Sequence, residues 1–145
     1  VTVGPRAVLL DTCALIWLAN AGPLGAGVIQ ALAHAALDSD LLVSPVSAWE
    51  IGLLDKKHGP RSSVLLFAPD VRTWLATAMA APGVRIATFT PAIALAVSSL
   101  PGILHSDPAD RMLISTARHL DVPIVTSDRK IIDYGAQGLV KVLPC

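Results

Sequence analysis

Glutamate is nearly missing from this sequence. Ten of its eleven acidic residues are Asp and Glu50 is the single Glu, although Glu is the usual choice for decorating exposed helices. Charge as a whole is scarce, at 15% of the residues, where ordinary soluble domains carry about a quarter. With 53% hydrophobic residues and a mean hydropathy of +0.62, disorder driven by self-repulsion is excluded. A length of 145 residues suits one domain, residues 1–145, with a sizeable core. Eleven basic side chains balance the eleven acids, which rules out a polybasic binder and leaves any nucleic-acid contact to a local patch. Cysteine is also scarce. Cys13 and Cys145 stand at opposite ends of the chain without CxxC or Cys/His spacing, so neither a disulfide scaffold nor a structural zinc site is expected.

Two long stretches, Thr12 to Leu37 and Ile86 to Ser106, contain no Asp, Glu, Lys or Arg. Either could cross a bilayer by length alone. The first, however, is cut by Asn20-Ala21-Gly22-Pro23 and carries Gln30 and His34, while the second is cut by Pro91 and Pro101-Gly102. Such punctuation points to buried helices and strands. Val1 to Arg6 leads only into a short apolar stretch ended by Asp11, with no cleavage-site pattern. Neither a signal peptide nor membrane attachment is expected, and the cytoplasm is the expected location.

Short apolar runs at Ala7–Leu10, Leu41–Ser44, Val84–Ala87, Ile124–Thr126 and Leu139–Leu143 read as strands buried on both faces. Helices are predicted over Cys13–Ala19, Gly25–Leu37, Ser47 to about His58, Val71–Ala80, from Pro91, from Pro108 to about Leu120, and over Asp128–Tyr134. Gly59–Ser63 reads as a mobile loop. Strands alternating with helices imply an α/β fold, a mainly parallel sheet of four to five strands between two helix layers.

In such a sheet the ligand crevice lies at the carboxyl ends of the strands. Asp11 ends the first strand, Glu50 follows the second, Asp110 lies in the first turn of the helix before the fourth, and Asp128 stands just past the fourth. The topology should bring all four together. Most admit a second reading. Ser47-Ala48-Trp49-Glu50 fits a capping box, Asp107-Pro108-Ala109-Asp110 fits a capped helix start, and Asp128 could simply begin its helix. Asp107 fits the capping role best. Asp110 instead heads the inward stripe of Leu113, Ile114 and Ala117, apart from the polar stripe of Arg111, Ser115 and Arg118, and Glu50 is in register with Leu53 and Leu54. An acid ending a buried strand, as Asp11 does, is costly unless paired or metal-bound.

Carboxylates sharing a pocket repel one another unless a cation neutralises them. Hard oxygen ligands select Mg²⁺ or Mn²⁺ over zinc, and such ions suit phosphodiester hydrolysis. Arg111, Arg129 and Lys130 adjoin the acids, with Lys56, Lys57 and Arg61 one helix or loop away. These cations read either as ordinary solvated surface or as contacts to RNA phosphates.

At these residues the chain resembles the PIN-domain ribonucleases, and specifically the VapC toxins of toxin–antitoxin pairs. The resemblance rests on Leu9-Leu10-Asp11-Thr12-Cys13-Ala14-Leu15, Ser44-Pro45-Val46-Ser47-Ala48-Trp49-Glu50-Ile51, His105-Ser106-Asp107-Pro108-Ala109-Asp110-Arg111-Met112-Leu113-Ile114, and Val125-Thr126-Ser127-Asp128. It implies a three-layer α/β/α fold and Mg²⁺-dependent endonucleolytic cleavage of RNA, with Mn²⁺ as a substitute ion. Asp11, Glu50, Asp110 and Asp128 fall on the family's acidic tetrad. Asp11 and Asp110 would ligate the ion directly, and Glu50 and Asp128 through water or a second ion. Thr126 would orient the last acid and Thr12 would orient Asp11, with Asp107 supporting. The same resemblance implies a VapB-type antitoxin as partner and a homodimer. The apolar excess fits surfaces awaiting a partner.

Rival readings fare worse. A haloacid-dehalogenase-type phosphatase wants a second acid where Cys13 stands, and a receiver domain wants an acidic pair and a late lysine that are missing. Gly22-Pro23-Leu24-Gly25-Ala26-Gly27 follows a helix and lacks the dinucleotide fingerprint. A non-catalytic PIN-like binding module would not need the four acids.

Overall fold

The computed structural model describes residues 7–58 and 66–145. Five short strands, β1 (Val8–Leu10), β2 (Leu41–Val43), β3 (Val84–Ile86), β4 (Ile124–Thr126) and β5 (Val142–Pro144), form one sheet in the order β3-β2-β1-β4-β5. All four pairings are parallel, with Leu9 in register with Leu42 on one side and Ile124 on the other. Parallel neighbours require crossovers. These are α1 (Thr12–Ala19) and α2 (Ala26–Leu37), then α3 (Pro45–His58) and α4 (Val71–Met79), then α5 (Pro91–Ala96), a 3-10 turn (Val97–Ser99) and α6 (Pro108–Leu120), and last α7 (Arg129–Ala136).

Side chains alternate across each strand, so Val8 and Leu10 enter one core while Leu9 enters the other. The first core is closed by Leu15 of α1, Leu32 and Ala35 of α2 and Trp74 of α4. The second is closed by Leu113, Ile114 and Ala117 of α6 and by Ile131 and Tyr134 of α7. The expected α/β/α layering results, and double coverage explains why the strands read as unbroken apolar runs. No helix among the described residues is long and apolar enough to cross a membrane.

Three boundaries differ from expectation by two residues or more, and one of them is the end of α7, which runs to Ala136 and not Tyr134. α3 begins at Pro45, two residues before Ser47, because the Ser44 hydroxyl accepts from the Val46 amide at 3.0 Å and proline suits the first helical position. β5 begins at Val142, not Leu139, because Leu139 and Val140 pack onto the second core first. Gly59–Ser63, read as a mobile loop, lies outside the described residues.

Candidate active site

A cavity of about 290 Å³ opens at the carboxyl edge of the sheet, and all four expected acids line it, together with Asp107. Thr12, Cys13 and Ser127 fill the gaps between them. Asp11 follows β1 directly and caps α1, accepting from the Ala14 amide at 2.7 Å through Oδ1. Asp128 caps α7 in the same way, its Oδ1 accepting from the amides of Lys130 (2.8 Å) and Ile131 (3.4 Å). Asp107 caps α6 by accepting from the Asp110 amide at 2.9 Å. Capping therefore describes Asp11 and Asp128 without exhausting them, since each keeps a carboxylate beside the cavity.

Glu50 is not part of a capping box. With Ser44 as the cap and Pro45 as the first helical residue, Glu50 falls in the second turn of α3, beyond reach of the free amides at the helix start. Its carboxylate instead accepts from the Thr12 hydroxyl at 2.5 Å. Thr12 Oγ1 also lies 3.1 Å from the Ser47 hydroxyl, which is fully buried. Thr12 has one hydroxyl proton, so the acceptor-only carboxylate takes it and Ser47 supplies the second bond.

This reverses one expectation: Thr12 orients Glu50 rather than Asp11. The side chain that bonds Asp11 is Thr126, whose hydroxyl also accepts from the Asp128 amide at 3.0 Å. One threonine thus links the acids at the ends of β1 and β4.

Asp110 projects from the first turn of α6 beside the buried Leu113 and Ile114. His105 Nε2 lies 2.7 Å from its Oδ2. His105 lies within one of the sequence motifs, where nothing local assigns it a role. Its signal was a lone imidazole just before a helix start, which becomes legible only once the chain folds back.

Burial raises the Asp11 carboxyl from 3.8 to about 6, with the bonds from Thr126 and Ala14 opposing and the charges of Asp110 and Asp128 adding to the rise. Burial likewise pushes Glu50 up against the pull of Thr12, and Asp107, Asp110 and Asp11 repel it further. Asp110 is pushed up by burial, drawn back by His105 and repelled by Asp107 and Asp128. The cavity holds more negative charge than its surroundings solvate.

Among the described residues no three His, Cys, Asp or Glu side chains are gathered into a ready metal cage. The donor set nevertheless fits a hard, hydrated ion that takes one or two carboxylates and keeps waters. Glu50 Oε2, Asp110 Oδ1 and Asp128 Oδ2 have no protein hydrogen bond among the described residues.

The expected phosphate-binding cations divide. Arg129 and Lys130 are exposed at the start of α7, beside Asp128, and Lys56 and Lys57 are exposed near the end of α3. Arg111 is not presented to solvent in this way. Its guanidinium donates to the carbonyls of Val97 (3.1 Å), His105 (3.4 Å) and Leu104 (3.5 Å), and its stripe-mate Ser115 is buried against the Ile93 carbonyl. The polar stripe of α6 therefore meets protein at Arg111 and Ser115, while Arg118 is exposed and donates to the Leu139 carbonyl. Arg61 lies outside the described residues.

Residues 8–137 match the PIN domain family. The chain belongs to that family. This PIN domain is 32% identical over 125 residues to Ribonuclease VapC22 of Mycobacterium tuberculosis (strain ATCC 25618 / H37Rv), a span covering 86% of this chain and 88% of the relative. Every motif behind the VapC resemblance falls within residues 8–137, and the resemblance holds. Among solved structures, the crystal structure of VapBC2 from Rickettsia felis bound to a DNA fragment from their promoter matches with a TM-score of 0.68. It covers 95% of this chain and 98% of that chain at 14% identity, a likeness of fold.

Proposed function

We propose that this PIN domain is a divalent-cation-dependent endoribonuclease that acts as the toxin of a VapBC-type pair. The observation that carries the reading is the cavity at the carboxyl edge of the sheet, where Asp11, Glu50, Asp110 and Asp128 meet from four separate elements. The likeness to Ribonuclease VapC22 supports RNA as the substrate. Asp11 and Asp110 would hold Mg²⁺ directly, Glu50 and Asp128 would act through water or a second ion, and Mn²⁺ would substitute. Bound there, the ion would supply Lewis-acid polarisation of the phosphoryl oxygen and a more acidic water.

The chain's own residues do the rest. Thr126 holds Asp11 from one side while the Ala14 amide holds it from the other, so its carboxylate is already oriented to receive a cation. Thr12 fixes one oxygen of Glu50, leaving the other to accept a proton from water. Arg129 and Lys130 stand beside the acids to receive the RNA backbone, and Lys57, two turns along α3 from Glu50, extends that track by about 10 Å. Arg111 is not part of it.

A VapB-type antitoxin is the proposed partner, in the cytoplasm and with no membrane role, and the toxin is proposed to form a homodimer. The VapBC2 neighbour supports that partnership. A second cavity of about 670 Å³ between α1, α2 and α4, walled by Leu15, Leu18, Ile29, Leu32 and Val84, has the apolar chemistry a partner segment would cover. Antitoxin-free protein should cleave RNA only with Mg²⁺ or Mn²⁺ and lose that activity with EDTA or in Asp11→Asn. Metal-independent cleavage, or full activity in Asp11→Asn, overturns the mechanism.

A further inference from the structure

We propose that His105 is a positioning residue for Asp110, fixing the carboxylate so that Oδ1 is the oxygen left to a divalent cation. The inference rests on the metal-dependent reading above.

Asp110 differs from its neighbours in how it is held. Helix amides orient Asp11 and Asp128, and Thr12 orients Glu50. The backbone of Asp110 is fixed, because its amide donates to Asp107. Its carboxylate, however, has one protein hydrogen bond among the described residues, the 2.7 Å contact to His105 Nε2. Asp107 and Asp128 both repel it. Without His105, rotation about the side-chain bonds is unopposed, and repulsion favours rotamers that turn away from the other acids.

The imidazole is itself committed to this contact. Its Nδ1 is buried and has no hydrogen-bond partner among the described residues. A neutral ring donating to a carboxylate through Nε2 carries its proton there, which leaves Nδ1 as a lone-pair nitrogen with nothing to compete for the ring's orientation. The backbone beneath the ring is anchored as well. Arg111 donates to the carbonyls of Leu104 and His105, and the Tyr134 hydroxyl donates to the Pro101 carbonyl at 2.5 Å. The residue after Asp110 thus holds the loop whose ring holds Asp110. That circuit also gives Arg111 a role other than binding RNA.

Outer partners of metal ligands act mainly through affinity, and losing one typically weakens binding about 10–100-fold. The test compares three substitutions in antitoxin-free protein. His105→Gln keeps an N–H near the reach of Nε2, His105→Met keeps the length without a donor, and His105→Asn has a donor that stops short. Calorimetry with Mn²⁺ alone should show His105→Met and His105→Asn weakened about 10-fold or more, with His105→Gln recovering most of the loss. The Mg²⁺ concentration for half-maximal RNA cleavage should move by the same factor, and saturating Mg²⁺ should restore the rate. Melting curves without metal show which variants fold, and the Gln-versus-Met pair decides if Asn does not.

Wild-type Mn²⁺ affinity in His105→Met, or equal weakness in Gln and Met, overturns the role of His105 alone. A rate loss that saturating Mg²⁺ does not restore does the same. A wild-type protein that neither binds Mn²⁺ nor cleaves RNA overturns the proposed function, and this inference with it.

Discussion

Asp11 and Asp128 sit on helix N-termini, at the ends of β1 and β4, and are held by backbone amides. Glu50 and Asp110 project from within helices, and each owes its orientation to one side chain from outside its helix, Thr12 or His105. The two pairs line the same cavity by different means. Backbone-held acids can be exchanged for their amides with the cap intact, because Asn caps as well as Asp. Side-chain-held acids can be left in place and misdirected by changing a residue that never meets the ligand.

The largest effect is expected where charge is removed. Asp11→Asn and Asp110→Asn should each lower RNA cleavage about 100-fold or more, measured on purified protein at saturating Mg²⁺. Equal losses would place both acids at the cation, and a small loss in either would separate the pairs as cation site and bystander.

The next effect is on stability, and it has a sign. Burial raises the folded-state Asp11 carboxyl from 3.8 to about 6, so the native chain binds that proton more tightly than the unfolded chain. The contribution is fully present below pH 3.8 and is lost as pH rises through about 6, up to about 3 kcal/mol in all. Without divalent metal, Asp11→Asn should therefore melt above wild type at pH 7, with the margin shrinking toward pH 4. Mg²⁺ should narrow the margin by stabilising wild type alone. Melting temperatures across that range, with and without Mg²⁺, check both statements. At limiting Mg²⁺, cleavage by wild type should fall as pH drops below about 6, because the proton then competes with the cation for Asp11.

Asp128 tests the cap itself. Asp128→Ala should destabilise the fold by about 1 kcal/mol, whereas Asp128→Asn should not, though both lose cleavage. Chemical denaturation separates the two, and equal destabilisation would mean that the charge rather than the cap matters.

The smallest effect is expected at Thr12. Thr12→Val removes the hydroxyl that holds Glu50 and leaves Asp11 with its own partners. Cleavage should fall about tenfold through one lost charge-assisted bond. An unchanged rate would mean that Glu50 needs no help, and the contrast between the pairs would weaken.

The sequence conveyed much of this because strands and acids carry local signals. Leu9, Leu10 and Asp11 announce a buried strand ended by a charge, and all four acids reach one cavity as the topology demands. What stayed hidden depends on contacts across the fold. Arg111 looked like a free cation because the carbonyls it meets belong to a turn and a loop whose path no periodicity reveals. Ser47 looked like a cap because Ser44, the actual cap, read as the end of a strand. Thr12 was paired with its neighbour in sequence, when its partner lies 38 residues away. The apolar groove has no local signature, because Ala33, Ala36, Ala78 and Ala81 line it from separate parts of the chain.

The circuit formed by His105, Asp107, Asp110 and Arg111 spans a few residues of chain, whereas Thr12 must find Glu50 across 38 residues and Thr126 must find Asp11 from the opposite end of the sequence. Short loops close sooner than long ones. During folding the Asp110 half is expected to take shape first, and Asp11 to join it only when β4 settles beside β1. The mutual repulsion of the acids would then be imposed last, once the hydrophobic cores that oppose it are in place.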